Sequence, residues 1–310
     1  MQSIHRTVLL NEVIDGLNLH PDSVVIDATF GGGGHSREIL KRFPDAKIIA
    51  LDQDASVCPL EPGISFHNEN FRNLDKILKK DSSIFFSVPP SLSHSKNIEE
   101  SFFKKIDAII FDLGLSSDQL ENSGRGFSFM KDEPLLMTMK ADQEPEDLTA
   151  FDVVNTWGEK SLADIIYGYG EERYSRKIAK AIVEAREKKE IKTSFDLVKI
   201  ISDAVPAGYR RGRLHFATKT FQAIRIAVND ELGALQEGLQ KGFQVLKQGG
   251  RMAVISFHSL EDRIVKKFYK NKEKEGQAKI INKKVILASS EEIKNNPRAR
   301  SAKLRIICKR

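Results

Sequence analysis

Four consecutive glycines, Gly31 to Gly34, stand in "DATFGGGGHS" between a run of β-branched residues and a helical pattern. Glycine gives up the most conformational freedom on folding, so four in one ordered turn require left-handed backbone or a close approach to it. The flanks exclude a floppy linker. "SVVID" before the turn reads as a short buried strand. "HSREILKRF" after it reads as a helix with Ile39, Leu40 and Phe43 on one stripe. A glycine turn from strand to helix is the place where α/β folds bind their ligands.

The same alternation continues through the first part of the chain. "KIIAL" (47–51), "ISF" (64–66) and "IDAIIFD" (106–112) read as further strands, which argues for a parallel sheet with crossover helices. The Ser- and Pro-rich stretch 81–97 reads as a loop. After about residue 117 the pattern changes, and "EERYSRKIAKAIVEAREKK" and "SFDLVKIISDAV" are helical. "KTFQAIRIAVNDELGALQEGLQKGFQVL" reads as one long amphipathic helix, its stripe running Phe221, Ile224, Val228, Leu232, Leu235, Leu239, Phe243. "GGRMAVISF" and "AKLRIIC" return to strand. The expectation is an α/β domain of residues 1–116 and 217–310, interrupted by a helical insertion at 117–216 that serves substrate recognition.

Composition narrows the class. A chain of 310 residues, 40% of them hydrophobic, can bury a full core. No apolar run approaches the roughly 20 residues needed to span a bilayer. The N-terminal stretch has no cleavage-site pattern, and Cys58 and Cys308 suggest neither a disulfide framework nor a zinc site. A cytoplasmic protein is expected. Residues 263–310 carry 16 Lys and Arg against 4 Asp and Glu, although the whole chain is only +6. A basic tail on an acidic body points to a polyanionic partner, nucleic acid being the commonest.

Two cofactors commonly use such a turn. The dinucleotide fingerprint G-x-G-x-x-G fails in both registers, because the third glycine falls on Ser36 or Arg37. Asp27, just before the turn, would repel a pyrophosphate but suits the ammonium of a methionine moiety. Asp52 ends the second strand, placed to accept ribose hydroxyls in either case. The balance favours S-adenosylmethionine. The loop "DLGLSSDQL" after the fourth strand should face that cofactor, and Asp112, Ser116, Ser117 and Gln119 give it polar groups. A helix cap would explain the same serines.

In "SFHSLEDR", Ser259 with Asp262 fits an S-x-x-D capping box; a Ser/His hydrolase would need G-x-S-x-G, which is missing. No metal is expected, since a sulfonium leaving group needs no Lewis acid. The basic groups offered to RNA are Arg210, Arg211, Arg213 and Lys219 in one stretch and Arg298, Arg300, Lys303 and Arg305 in another.

Taken in order, "DATFGGGGHS", "DLGLSSDQLENSGRGFSFM", "YGEERYSRKIAKAI", "TFQAIRIAVNDEL", "GGRMAVISFHSLEDRIVK" and "NPRARSAKLR" resemble successive motifs of the RsmH (MraW) family. These are bacterial methyltransferases acting on the exocyclic N4 of a cytidine in the decoding centre of 16S rRNA. The resemblance runs from His5 to the C-terminus. It implies a class I S-adenosylmethionine-dependent methyltransferase, a Rossmann-like α/β fold with a mostly parallel sheet and an inserted all-helical domain. It implies cofactor contacts at Gly33, Gly34, His35, Asp52, Phe71, Asp112 and Gln119. It further implies a small-ribosomal-subunit substrate, and it leaves the oligomeric state open. Cytosine N4 is a poor nucleophile, so an acceptor for its hydrogen is needed; Asp112 or Ser116 is the expected catalytic group.

Two rival readings remain at this level: a dinucleotide enzyme, and a catalytically impaired RNA-binding or assembly protein that keeps the cofactor fold. The second gains weight from one departure. Where the family continues Pro-Leu-Asp-Met-Arg-Met-Asp, this chain has Leu136, Thr138 and Lys140 at the three charged positions. Either apolar packing compensates, or base recognition has changed.

Overall fold

The computed structural model describes residues 7–59, 61–80 and 106–310. His5 and the stretch 81–97 lie outside the described residues. The glycine turn links β1 (Val24–Asp27) to α2 (Gly34–Arg42), which follows α1 (Leu10–Leu17). Then come β2 (Lys47–Asp52), β3 (Ile64–Asn68), α3 (Leu74–Lys80) and β4 (Ile106–Asp112). After the helical stretch, β5 (Leu246–Ser256), β6 (Ala278–Ile280), β7 (Ile286–Leu287) and β8 (Lys303–Lys309) complete the sheet.

Among the described residues the strand order is β3-β2-β1-β4-β5-β8-β6, with β7 also on β8. The first five strands are parallel, and β8 runs antiparallel to β5. The chain steps outward from β1 through β2 to β3, then returns to place β4 on the other side of β1. That reversal makes the carboxyl ends of β1 and β4 the crevice where such sheets bind ligands.

Strands buried on both faces need apolar residues on both, and β4 has them from Ala108 to Phe111. Ile109 and Phe111 enter one core with Leu239, Phe243, Met252 and Tyr269. Ala108 and Ile110 enter the opposite one with Val13, Leu17, Ile39 and Ala50. Each Val, Leu, Ile, Phe or Met side chain among them, fully withdrawn from water, contributes about 1.5–3 kcal/mol.

The described chain divides into two compact units, Met1–Gly114 with Leu232–Arg310, and Leu115–Glu231. The return boundary expected at 217 therefore falls later. Thr218–Asn229 is a helix of the second unit, its Phe221, Ala223 and Ile224 buried with Val153, Ile166, Ile182 and Leu197. The single long helix expected here is two, Thr218–Asn229 and Glu231–Val245, parted at Asp230 in the left-handed region (φ 45°). The apolar stripe is continuous, but its two halves serve two cores: Leu235, Leu239 and Phe243 pack on the sheet. Periodicity cannot register a one-residue break that leaves the phase nearly intact.

The basic stretch 263–310 is no tail. It forms most of the helix Ser259–Lys274 and then β6, β7 and β8. Part of its charge is structural: Lys309 Nζ donates to the carbonyls of Phe243, Gln244 and Leu246 at 2.8, 2.9 and 2.6 Å. Arg305 forks onto Asp262 at 2.7 and 3.3 Å. With Asp262 so engaged, the capping box of this helix sits one residue earlier than expected. His258 is the N-cap, and it is reciprocated by Glu261. His258→Ala is expected to lower stability by about 1 kcal/mol and His258→Asn to restore most of it, read by urea unfolding. Equal losses for both would refute the cap. Among the described residues, no helix is long and apolar enough to cross a membrane.

Candidate active site

The glycine turn is built around its own protein. Gly33 has φ 68°, and a Cβ there would lie 2.5 Å from the ring of Phe30. A Cβ on Gly34 would fall 1.6 Å from Oγ1 of Thr7. Left-handed backbone and the Phe30 ring forbid a side chain at Gly33, and Thr7 forbids one at Gly34. The function of the turn lies in what it leaves open. Gly33 is the N-cap of α2 and its own N–H donates to Phe30 O at 2.7 Å; no side chain caps that helix, and a helix start of this kind suits an anion.

Carboxylates gather at the ends of the adjoining strands. Asp52, ending β2, clasps the turn: one oxygen accepts from Gly31 N at 2.8 Å, the other from Asp54 N at 2.9 Å. Burial raises its pKa, and these amide hydrogen bonds oppose the rise. Asp27, ending β1, is 2% exposed and accepts from Ser36 Oγ at 2.6 Å and Thr29 N at 3.3 Å. It is turned inward onto α2, not outward toward an ammonium as expected. Burial pushes it up to about 6, against those two hydrogen bonds and with the charge of Asp52.

Asp112, ending β4, is the most perturbed of the three. Burial, then the charges of Asp27 and Glu261, push it up to about 8. Its backbone N–H donates to Thr29 Oγ1 at 2.6 Å. Oδ2 lies 3.7 Å from His35 Nδ1. Oδ1 is buried without a hydrogen-bond partner among the described residues. A buried oxygen left without a partner calls for an explanation, and a catalytic role or a bound group is one that fits the end of a strand in such a crevice. Glu261, 3% exposed, is held by the N–H groups of Phe257 (2.9 Å) and His258 (3.2 Å).

The structure thus brings Gly31 to Asp52 and His35 to Asp112. Phe71 is half-buried, edge-on to Phe111 at 5.4 Å between ring centres. Ser116 and Gln119 pair with each other in the second unit. Gln119 N donates to Ser116 Oγ and Ser116 N to Gln119 Oε1, both at 3.1 Å. That reciprocal cap opens the helix Ser117–Glu121. Thr29, Ser36 and Glu261 escaped sequence reasoning. Only Glu261 left a signal, as the acid of "SFHSLEDR" one place before the residue chosen for the cap.

In the second unit, the departing segment is fully serviced. Arg125, 8% exposed, donates Nη1 to the carbonyls of Thr138, Met139 and Lys140 at 3.1, 3.0 and 2.9 Å. Thr138 is buried; its Oγ1 accepts from Gln143 and donates to the Lys140 carbonyl. Lys140 pairs with Asp147 at 2.7 Å. Asn229 brackets Met137 O and Met139 N, both at 2.8 Å.

A family model described as "MraW methylase family" matches residues 2–310. "Ribosomal RNA small subunit methyltransferase H" of Lactobacillus gasseri is 43% identical, covering 99% of this chain and 99% of its own. The protein of that name from Carboxydothermus hydrogenoformans is 45% identical, covering 98% of this chain and 97% of its own. The one from Clostridium botulinum is 44% identical over 99% of both chains.

Proposed function

The chain belongs to the MraW methylase family, and on that premise we propose that it moves a methyl group from S-adenosylmethionine to the exocyclic N4 of a cytidine in the decoding centre of 16S rRNA. The observation that carries the reading is Asp112 Oδ1, buried and without a partner among the described residues at the carboxyl end of β4. The failed G-x-G-x-x-G spacing, with Asp52 clasping the turn, disfavours a pyrophosphate and separates this reading from a dinucleotide enzyme.

When bound, S-adenosylmethionine supplies a methyl group on a positively charged sulfur that departs as a neutral thioether. The start of α2 at Gly34 and His35, which no side chain caps, holds its carboxylate, and Gly33, whose N–H is bonded to Phe30 O, shapes the turn that lets it approach. Asp52 accepts ribose hydroxyls with the lone pairs its amide bonds leave over. Phe71 gives an apolar wall. Asp112 accepts an N4 hydrogen, which localises the amine lone pair, and takes the proton as the N–C bond forms. Ser116 is the weaker candidate for that task, because its oxygen already serves the cap. Residues 115–231 form the substrate-recognition domain, and the target base leaves its stack to reach the crevice.

The test is direct. Calorimetry should detect S-adenosylmethionine and not NAD. Small ribosomal subunits incubated with labelled donor should then yield N4-methylcytidine on nuclease digestion. Binding of NAD, or a methyl group on any other atom, would refute the assignment.

A further inference from the structure

Between Asp203 and Asp230 the second unit has no acidic residue and five basic ones. Arg225 is occupied by Glu231 at 2.7 and 2.9 Å. Lys219 Nζ donates to the Glu171 carbonyl, and Arg210 Nη1 to the Ser202 carbonyl at 3.1 Å. Arg211 and Arg213 are exposed and make no ion pair among the described residues. Two guanidinium charges are therefore presented to solvent on one short loop with no counter-charge.

The loop continues into an apolar and aromatic surface. Leu214 is 53% exposed and Met130 71%. They are the chain neighbours of His215 and Phe129, whose rings stack: His215 lies parallel to Phe129 at 4.4 Å and tilted against Phe216 at 4.2 Å. His215 Nδ1 accepts from Ala217 N at 3.3 Å, which puts the proton of the neutral ring on Nε2. Burial lowers its pKa, so the ring stays uncharged at neutral pH. Nε2 has no hydrogen-bond partner among the described residues. The stack locks the ring plane and holds an N–H donor in fixed direction beside the two arginines.

This combination selects its partner. A duplex offers mainly phosphates to such a surface, and the two exposed apolar side chains would gain nothing from it. An unpaired strand offers phosphates and base faces together. We infer that the loop Arg210–His215 with Met130 holds an unpaired RNA strand. Arg211 and Arg213 lie on its phosphates, Met130 and Leu214 lie against base faces, and His215 Nε2–H donates to an oxygen of the strand. The inference rests on the RNA substrate proposed above and goes beyond it in naming the surface and the single-stranded state.

The experiment measures binding of the full chain to a single-stranded RNA of about ten nucleotides, and to a duplex of equal length, by fluorescence anisotropy across a salt series. The wild type is expected to bind the single strand about tenfold more tightly than the duplex. Arg211→Gln/Arg213→Gln should weaken both about tenfold and flatten the single strand's log–log salt dependence by about 1.4, roughly 0.7 for each lost phosphate contact. Met130→Ser/Leu214→Ser should weaken only the single strand, about fivefold, at unchanged salt slope. His215→Phe, which keeps the stack and removes the donor, should cost about threefold on the single strand. All these residues are at or near the surface, and matching thermal melts verify the fold. Equal affinity for duplex and single strand, or no response to the Met130/Leu214 pair, overturns the inference. So does competition by polyglutamate as effective as by unlabelled RNA, which would mean an acidic protein partner. Absence of methyl transfer alongside the expected binding pattern would count against the activity alone.

Discussion

Asp112→Asn is expected to cut methyl transfer by about a hundredfold or more, while raising the melting temperature of the ligand-free protein at pH 8. The two effects share one cause. Burial and the charges of Asp27 and Glu261 hold the Asp112 proton to about pH 8 in the folded state, against 3.8 for an ordinary carboxyl. Between these values the folded protein binds more protons than the unfolded one, so stability falls as pH rises from about 4 to about 8. Asp27, raised to about 6, adds a slope of the same sign over the lower half of that range. Asparagine has no proton to lose and removes the Asp112 share. At about 1.36 kcal/mol per pKa unit the ceiling is several kcal/mol; with the side chain 21% exposed, we expect a gain on the order of 2 kcal/mol at pH 8. The wild type should also turn over faster as pH rises toward 8, because an acceptor must first be deprotonated. Melting curves and single-turnover rates at pH 5, 6.5 and 8 are the measurements. Undiminished turnover at saturating donor, with only its binding weakened, would remove Asp112 from the acceptor role.

Thr138→Arg is expected to destabilise the protein by about 3 kcal/mol or more. Arginine is what the family carries there, yet here it would set a second guanidinium beside Arg125 in a buried segment. Leu136 and Lys140 stand where the compensating acids would be. An uncompensated buried charge costs this much, whereas replacing a whole ion network together can be neutral. The triple change Leu136→Asp/Thr138→Arg/Lys140→Asp should recover part of the loss without exceeding wild-type methylation. It restores the pairing but gives up Lys140–Asp147 and the Thr138 hydroxyl bonds. Urea unfolding and transfer to small subunits read both quantities. A triple variant faster than wild type would mean that the natural chain has lost substrate contacts. The segment as it stands favours compensation, since its carbonyls and side chains are already bound.

Period-2 and period-3.6 patterns are local properties, and the strands from β1 to β5 and the helices of the second unit were legible for that reason. Their boundaries moved where one residue decides. Asp230 breaks a helix whose stripe is unbroken, and His258 takes the cap assigned to Ser259. The basic stretch 263–310 looked like a tail because charge counts ignore partners. Arg305 and Lys309 spend their charge on Asp262 and on main-chain carbonyls, which no composition reveals.

The site divides the same way. Glycines between strand and helix, an acid ending each neighbouring strand and the failed dinucleotide spacing can all be read from order alone, since each lies within one short segment. Residues 27, 52, 112 and 261 lie far apart in the chain, so their convergence exists only once the parallel sheet sets the strand ends side by side. Electrostatic coupling acts over ångströms of space, whatever the separation in sequence. The sequence by itself therefore determined the fold class and the turn. The tertiary structure alone decided that Asp27 faces inward to Ser36, that Asp112 keeps its proton to about pH 8, and that Thr7 stands where a side chain on Gly34 would have to go.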